Sequence, residues 1–283
     1  KFLDYIGQQG PGGTPFPFIK NIYTTNASEL VVVCTTGDGF QVYWFSTDGY
    51  LMYAVPVKKE NVPNPFKDEK NDTFFSVENI VTSDQTHTAN VRVITEADRG
   101  NGITKPRPYT DVDGMITNVP GLCLVTFYAD CVPLYFVDPV KRVIGLSHSG
   151  WRGTVHKMAI ATVRKMQETF GCDPVDIRSV VGPSICQECY EVSEDVIDEF
   201  RANYKETDWD SLFYRKENGK YQLDLWRANE INLLDAGVRA EHMAVTNVCT
   251  CCNHELLFSH RYTKGKRGNL SAFLALKEET KVE

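Results

Sequence analysis

Residues 122–154 have the sequence LCLVTFYADCVPLYFVDPVKRVIGLSHSGWRGT. Three apolar segments rich in β-branched and aromatic residues lie within it, at residues 122–128, 134–137 and 143–147, and we expect each to form a strand. The last segment leads through His148 into a glycine-flanked loop. The stretch therefore predicts a buried β-structure whose strand ends carry chemically active side chains.

The residues after this stretch mix helical and strand patterns. A helix is predicted at residues 155–170, with Thr154 as its N-cap and Gly171 at its end. Because strands and helices do not alternate strictly, the predicted fold class is α+β, with mixed β-sheets flanked by helices in a layered α/β sandwich. The other predicted elements are strands at residues 91–95, 177–181 and 243–248, and helices that begin after Ser193 and Asp224 and end near Tyr204 and Ala236.

The first 75 residues carry weaker signals. Residues 30–34 and 40–45 are typical of two strands joined by a turn, which predicts a hairpin. We predict one domain over residues 1–283, with residues 1–75 as its divergent N-terminal part. A second turn and an exposed loop are expected at Asp48-Gly49 and residues 61–71.

Composition limits the classes of function. The chain of 283 residues has 37 acidic and 30 basic side chains, a formal net charge of −7. This balance argues against broad nucleic-acid binding, which needs a concentrated basic surface, but it allows a small anionic substrate. No apolar run reaches the roughly 18 residues that a membrane span needs.

The expected location is the cytoplasm. The first residues lack the layout of a secretory signal. The nine cysteines are typical of metal or thiol chemistry in a reduced compartment rather than of a disulfide framework.

His87, Cys131 and His148 form a candidate metal site. If the strand before Cys131 and the strand that carries His148 are neighbours, their ends bring the two side chains together. One cysteine and two histidines can hold zinc with a fourth position open, as in catalytic sites, and the same donors suit copper. Taken singly, a buried cysteine is more often an inert apolar residue, and the spacing alone leaves that alternative open.

The segment Gly150-Trp151-Arg152-Gly153 allows two interpretations. Two glycines around an arginine, just before a helix, can bring backbone N–H groups and a guanidinium to a phosphate. Alternatively, the segment is a tight turn in which Trp151 packs in the core and Arg152 forms a structural salt bridge.

Two cysteine clusters remain. Cys186-x-x-Cys189 and the group Cys249, Cys251 and Cys252 can form a four-thiolate zinc site or a redox pair. Their separation along the chain is much longer than in compact zinc ribbons, so unrelated, partly buried thiols are the favoured interpretation.

Several motifs together resemble one family. It is the family once called multicopper polyphenol oxidoreductases or laccase-domain proteins, now regarded as purine nucleoside phosphorylases. The resemblance covers about residues 81–276, and its motifs follow the family's order. They are Gln85-Thr86-His87, Asp113-Gly114, Ala129-Asp130-Cys131-Val132-Pro133, Asp138-Pro139, His148-Ser149-Gly150-Trp151-Arg152-Gly153-Thr154, Gly182-Pro183-Ser184-Ile185, Cys189-Tyr190-Glu191-Val192, Asp224-Leu225, Cys249-Thr250 and Phe258-Ser259-His260-Arg261.

The resemblance implies zinc bound by His87, Cys131 and His148, which are then also the catalytic residues. It implies phosphorolysis of adenosine, inosine, guanosine or methylthioadenosine to the free base and a sugar 1-phosphate, with deamination of adenosine alongside. The implied partners are a purine nucleoside and phosphate, and the oligomeric state is left open.

Three further side chains are candidates for supporting roles. Arg152, beside the helix predicted from residue 155, is the first candidate for phosphate binding, and Arg261 is the second. Asp130 is the candidate for orienting a metal ligand from the second shell of contacts.

The N-terminal third departs from the family. Thr35-Thr36-Gly37-Asp38-Gly39 stands where the family has Thr-Thr-Arg and Gly-Gly-Val-Ser, so substrate contacts from that region are in question.

Three alternative functions stay open. They are a cysteine hydrolase or deamidase that uses Cys131 and His148, a copper-dependent phenol oxidase, and a non-catalytic zinc-binding protein. Six scattered histidines do not readily supply the multi-histidine copper cluster that phenol oxidation needs.

Overall fold

The computed structural model describes residues 76–277 and, nearer the N-terminus, the backbone of four strands. The chain divides into two compact units, Lys1–Phe74 and Phe75–Glu283, which are described separately. That both belong to one domain stays a prediction. The turn expected at Asp48-Gly49 and the loop expected at residues 61–71 lie outside the described residues.

The N-terminal unit contains an antiparallel four-stranded sheet in sequential order. The predicted hairpin is confirmed, because Thr36 pairs with Gly39 and Leu30 with Phe45. The strands are β1 (Ile19–Thr24), β2 (Leu30–Thr36), β3 (Gly39–Phe45) and β4 (Leu51–Lys58).

The C-terminal unit mixes strands and helices. Its strands are β5 (Ile80–Thr82), β6 (Val91–Val93), β7 (Gly114–Thr117), β8 (Cys123–Tyr128), β9 (Val132–Asp138), β10 (Val143–Ser149), β11 (Arg178–Val181), β12 (Glu191–Val192), β13 (Phe213–Arg215), β14 (Tyr221–Leu223), β15 (Met243–Val245) and β16 (Leu270–Ala275). Its helices are α1 (Trp151–Val155), α2 (Met158–Phe170), α3 (Glu194–Asn203), α4 (Trp209–Leu212), α5 (Leu225–Asp235) and α6 (His260–Thr263).

A six-stranded mixed sheet, in the order β15-β11-β9-β10-β7-β6, lies at the centre of this unit. Two three-stranded sheets accompany it, β16-β8-β5 and β12-β14-β13. In the central sheet, β15 runs parallel to β11 and β6 parallel to β7, and the remaining pairs are antiparallel.

The central sheet is buried on both faces. On one face Phe136 belongs to the same buried cluster as Met158 of α2 and Phe200 of α3. On the other face Leu146 clusters with Leu124 of the β16-β8-β5 sheet. Every residue of β10 is therefore buried, which explains the apolar run at residues 143–146. The predicted α+β fold with mixed sheets and helices is confirmed.

The start of the helix predicted at residues 155–170 was wrong. The helical backbone begins at Trp151, with Gly150 as N-cap. Thr154 lies inside α1, where its hydroxyl lies 2.9 Å from the Gly150 carbonyl and 2.9 Å from the Ser149 hydroxyl. A threonine that donates back to a carbonyl does not cap the N–H groups ahead of it.

A left-handed residue separates α1 from α2. Lys157 has φ 63°, and its ammonium nitrogen lies 3.4 Å from the centroid of the Tyr204 ring and 2.9 Å from Asn232 Oδ1. These contacts come from distant parts of the chain, so a local pattern could not predict the break. Helix α2 ends at Gly171 as predicted.

The other helices and strands predicted from the sequence are confirmed apart from the positions of their ends. Asp224 caps α5 by accepting a hydrogen bond from the Arg227 N–H at 2.9 Å. Ser193 occupies the N-cap position of α3, but its hydroxyl makes no capping bond. The strand predicted at residues 243–248 ends earlier, at Val245. No helix in the described part of the chain has the length and apolar character to cross a membrane.

Candidate active site

Four side chains lie together where four neighbouring strands of the central sheet begin or end. Cys131 directly precedes β9, Asp113 precedes β7, His87 lies in the loop before β6, and His148 is the penultimate residue of β10. β10 is antiparallel to β9 and to β7, and β7 is parallel to β6. The end of β10 therefore meets the starts of the other three strands.

The expectation that the strand before Cys131 pairs with the strand that carries His148 was only half right. The strand before Cys131, β8, belongs to the β16-β8-β5 sheet and is not hydrogen-bonded to β10. The partner of β10 is β9, which starts immediately after Cys131 and places Pro133 opposite His148. The chain crosses between two sheets at residues 129–131, so Cys131 lies where both sheets meet.

The three predicted metal-binding side chains lie together. Their donor atoms are all within 4.8 Å of one another. His87 Nε2 is 4.0 Å from Cys131 Sγ, and the rings of His87 and His148 cross edge to face at 4.9 Å between centroids. A tetrahedral zinc site separates such donors by about 3.3–3.8 Å, so small side-chain shifts would complete it. The arrangement fits a zinc ion with one open position.

Asp113 is a buried carboxylate that organises this cluster. Its Oδ1 lies 2.8 Å from His148 Nδ1 and accepts from the His87 N–H at 3.1 Å. Its Oδ2 accepts from the N–H and hydroxyl of Thr88, at 2.8 and 2.9 Å, and from the Thr86 N–H at 3.2 Å. Asp113 thus fixes the loop that carries His87 and leaves His148 Nε2 available to a metal.

Asp130 was predicted to orient a metal ligand; it is buried directly before Cys131, and that role stays a prediction. Its carboxylate accepts hydrogen bonds from Thr250 Oγ1 and from the Arg261 N–H, both at 2.7 Å, and its carbonyl accepts from the Ile185 N–H at 3.1 Å. These bonds hold a backbone with φ 143°, a region that favours glycine. Asp130 therefore fixes the turn before the cysteine, whereas the carboxylate that contacts a histidine is Asp113.

The electrostatics of the cluster favour a thiolate. Burial raises the pKa of Cys131, but hydrogen bonds from His148 and His87 outweigh burial and bring the pKa to about 6. Burial lowers the pKa of His148, while its bonds to Asp113 and Cys131 raise it to about 9. The thiolate is the form that binds a metal or attacks a substrate.

A cavity of about 690 Å³ opens over this cluster. A volume of this size suits a small organic ligand. Its lining combines His87, Cys131 and His148 with the arginines Arg107, Arg261 and Arg267 and with aromatic side chains that include Phe127, Trp151 and Tyr190.

The two arginines predicted for phosphate differ in position. Arg261 lines the cavity, with its guanidinium carbon 5.3 Å from the centroid of the Tyr190 ring, and forms no ion pair with the residues that the structure describes. Arg152 is exposed and lies over the Trp151 ring at 4.4 Å, outside the cavity lining. Arg152 lies inside the short helix α1, so the long helix predicted from residue 155 does not begin directly after it. Phosphate binding by Arg152 stays a prediction.

A comparison of the sequence with models of known families identifies the family of this chain. The family model described as multi-copper polyphenol oxidoreductase laccase matches residues 24–277. The chain belongs to this family. The resemblance predicted from the sequence motifs is confirmed, and the match reaches further toward the N-terminus than those motifs do.

Individual relatives of this chain carry enzyme names. "Purine nucleoside phosphorylase YlmD" of Bacillus subtilis is 38% identical over 199 residues, which cover 70% of this chain and 71% of that protein. "Adenosine deaminase RL5", from an unknown prokaryotic organism, is 34% identical over 65% of this chain and 70% of its own. The crystal structure of YlmD from Geobacillus stearothermophilus matches with a TM-score of 0.67, at 32% identity over 89% of this chain and 93% of that one.

Sequence reasoning missed one member of the candidate site. Asp113 carries the largest set of contacts to the cluster, but it had been quoted only as part of the motif Asp113-Gly114. The available signal was an acidic residue directly before an apolar strand, Gly114–Thr117, which has no obvious reason to be buried unless it is hydrogen-bonded.

Gly150 packs against the cluster, and a side chain there is expected to disturb it. A Cβ atom at Gly150 would lie 2.9 Å from Cys131 Sγ and 3.0 Å from His87 Cδ2. We expect Gly150→Ala to weaken metal binding about tenfold or more, since overpacking costs about 1–3 kcal/mol. Metal affinity measured by competition with a chelator checks this.

Gly171→Ala is the matched control. A Cβ at Gly171 meets nothing within 4 Å, although φ is +67°. That variant should lose about 1–2 kcal/mol of unfolding free energy and keep its metal affinity. Equal metal affinities for the two glycine variants would contradict the close packing of Gly150 on the cluster.

Proposed function

We propose that this chain is a zinc-dependent purine nucleoside phosphorylase that also deaminates adenosine. The observation that carries the proposal is the cluster of His87, Cys131 and His148 at a cavity that also holds Arg261. The names of its relatives supply the substrate class. The same three residues are the proposed zinc ligands and catalytic residues.

Two reactions need different groups at the cavity. In phosphorolysis a phosphate oxygen bonds to the anomeric carbon as the glycosidic C–N bond breaks, and the base leaves with the electron pair and takes up a proton. In deamination water adds to the amino-bearing purine carbon and ammonia leaves. Zinc bound at the cluster would supply a Lewis acid for polarising a substrate atom.

The protein's own side chains would bind and orient the reactants. Arg261 would hold the charge of the phosphate next to the sugar. The rings of Tyr190 and Phe127 offer flat surfaces for a purine. Asp113 would keep His148 in one orientation, so that the donor set is arranged before the substrate arrives.

Replacing Arg261 is expected to affect phosphate selectively. We expect Arg261→Ala to raise the KM for phosphate by about 10–100-fold, the equivalent of the roughly 1.5–3 kcal/mol of a charged hydrogen bond. Deamination of adenosine without phosphate should change much less. Initial rates at varied phosphate check this.

Arg152→Ala serves as the comparison for Arg261→Ala. Arg152 lies outside the cavity lining, so its variant should leave the KM for phosphate close to that of the parent protein. A larger effect at Arg152 than at Arg261 would restore Arg152 as the phosphate-binding residue.

Direct assay tests the proposed function. Purified protein is incubated with adenosine or inosine, with and without phosphate, and the products are separated by liquid chromatography. We expect free base and ribose 1-phosphate only when phosphate is present, inosine from adenosine in either case, and zinc in the protein by mass spectrometry.

The alternatives give different results in the same assay. Copper instead of zinc, with oxidation of phenols, would favour a polyphenol oxidoreductase. Zinc without turnover would favour a non-catalytic binding protein. No metal and no purine turnover, with Cys131 readily alkylated, would favour a cysteine hydrolase that uses Cys131 and His148.

A further inference from the structure

Two cysteine-bearing segments follow neighbouring strands of the central sheet. Strands β11 and β15 are parallel partners, so the segments beyond their ends leave the same edge of the sheet. The segments then run side by side, with the Ser184 N–H donating to the Val248 carbonyl at 3.1 Å and the Thr250 N–H to the Ser184 carbonyl at 3.1 Å. This pairing places residues 186–189 beside residues 249–252.

Four sulfur atoms converge where these segments meet. The Sγ atoms of Cys186, Cys189, Cys249 and Cys252 all lie within 4.8 Å of one another. Cys252 Sγ is 3.5 Å from Cys189 Sγ and 3.9 Å from Cys186 Sγ. The interpretation favoured from the sequence, unrelated thiols, was therefore wrong.

The spacing of the sulfur atoms matches a tetrahedral metal site. Zinc–sulfur bonds of about 2.3 Å place the four sulfurs of a tetrahedron about 3.8 Å apart. Cys249 Sγ also accepts hydrogen bonds from the N–H groups of Cys186 and Cys252, each at 3.3 Å. Such bonds stabilise the charge of a bound thiolate.

We propose that Cys186, Cys189, Cys249 and Cys252 bind a second zinc ion, distinct from any metal at His87, Cys131 and His148. Each cysteine binds as a thiolate, and its proton passes to solvent. Four thiolates fill a tetrahedral coordination sphere, so this zinc has a structural role. The proposal is independent of the reaction catalysed at the cavity.

The second zinc would position one wall of the cavity. The segment of Cys186 and Cys189 includes Ile185, whose N–H binds the Asp130 carbonyl, and continues directly to Tyr190. The other segment includes Thr250, whose hydroxyl binds the Asp130 carboxylate at 2.7 Å. Joining the two segments through a metal would therefore hold the turn that precedes Cys131.

Metal analysis of a double variant tests the proposal. We expect Cys186→Ser/Cys189→Ser to contain about one zinc per chain less than the parent protein, and to unfold at a lower temperature. The matched control is Cys123→Ser/Cys172→Ser, which removes two buried thiols outside the cluster and should keep the parent's zinc content. If the cavity holds no zinc, the parent contains about one zinc and only the Cys186/Cys189 variant loses it.

A second measurement does not require changes in the cluster. Zinc X-ray absorption of the Cys131→Ala protein should show about four sulfur neighbours at about 2.3 Å. Nitrogen or oxygen neighbours, iron in place of zinc, or an unchanged zinc content in the double variant would overturn the proposal. A Cys189–Cys252 disulfide in freshly purified metal-free protein, found by non-reducing peptide mapping, would also overturn it.

Discussion

Replacing Cys131 by alanine is expected to remove the metal from the candidate active site and to lower kcat/KM for adenosine by about 10³-fold or more. The physical reason is the loss of the anionic donor among three ligands, which leaves two imidazoles to hold the ion. Several kcal/mol of charge stabilisation would disappear with the metal, and about 1.4 kcal/mol corresponds to a factor of ten. Zinc content and initial rates, measured on the same preparation, check the prediction.

Two further variants and one control sharpen this test. His87→Ala and His148→Ala should lose the same zinc ion, because their side chains share the cluster with Cys131. Cys172→Ala removes a buried thiol elsewhere in the core and should keep both zinc and activity. Full activity in a Cys131→Ala protein without the metal would refute a metal-dependent reaction at this site.

Replacing Asp113 by asparagine is expected to lower metal affinity about 10–100-fold, although Asp113 touches no metal itself. The amide keeps the size of the side chain but removes the charge that binds His148, and its NH₂ group would face N–H donors of the loop at residues 86–88. Asp113→Ala should also lower the free energy of unfolding by about 3–5 kcal/mol, because the partners of the buried carboxylate are left unsatisfied. Metal competition and chemical denaturation measure the two effects.

The pH dependence of stability gives a separate readout for Asp113. Burial raises its pKa, but bonds from His148 and Thr88 lower it more, so the folded-state pKa lies below the ordinary value. The stabilisation is therefore present above about pH 4 and is lost as the pH falls through the lowered pKa. The difference in Tm between the parent and Asp113→Asn should be largest near neutral pH and should narrow in acid.

Asp138→Asn is the matched control for Asp113→Asn. Asp138 is also a buried carboxylate, and it accepts the N–H groups of Val140 and Lys141 at the opposite end of the β9–β10 hairpin. Its variant should lose stability and keep metal affinity. Equal losses of metal affinity in the two variants would mean that Asp113 acts through general stability and not through His148.

Much of the central sheet was predictable because its strands are buried on both faces. Residues 134–137 and 143–147 are rich in apolar side chains and correspond to strands β9 and β10 of this sheet. The same holds for residues 122–128, which correspond to β8 of the neighbouring β16-β8-β5 sheet. The candidate metal site was also found from the sequence, through the position of Cys131 and His148 at strand ends and through the resemblance to the family. Local patterns suffice where burial dictates the side chains.

The sequence by itself determined the strands of the core, the family and the residues that form the candidate metal site. Only the tertiary structure decided which groups support that site. Asp113 meets His148 across a β-ladder, the two cysteine segments meet because β11 and β15 are parallel neighbours, and Arg261 rather than Arg152 reaches the cavity. The reason is physical: hydrogen bonds and metal ligation act between atoms a few ångströms apart, and the chain brings such atoms together from positions tens of residues distant, where no local pattern records their proximity.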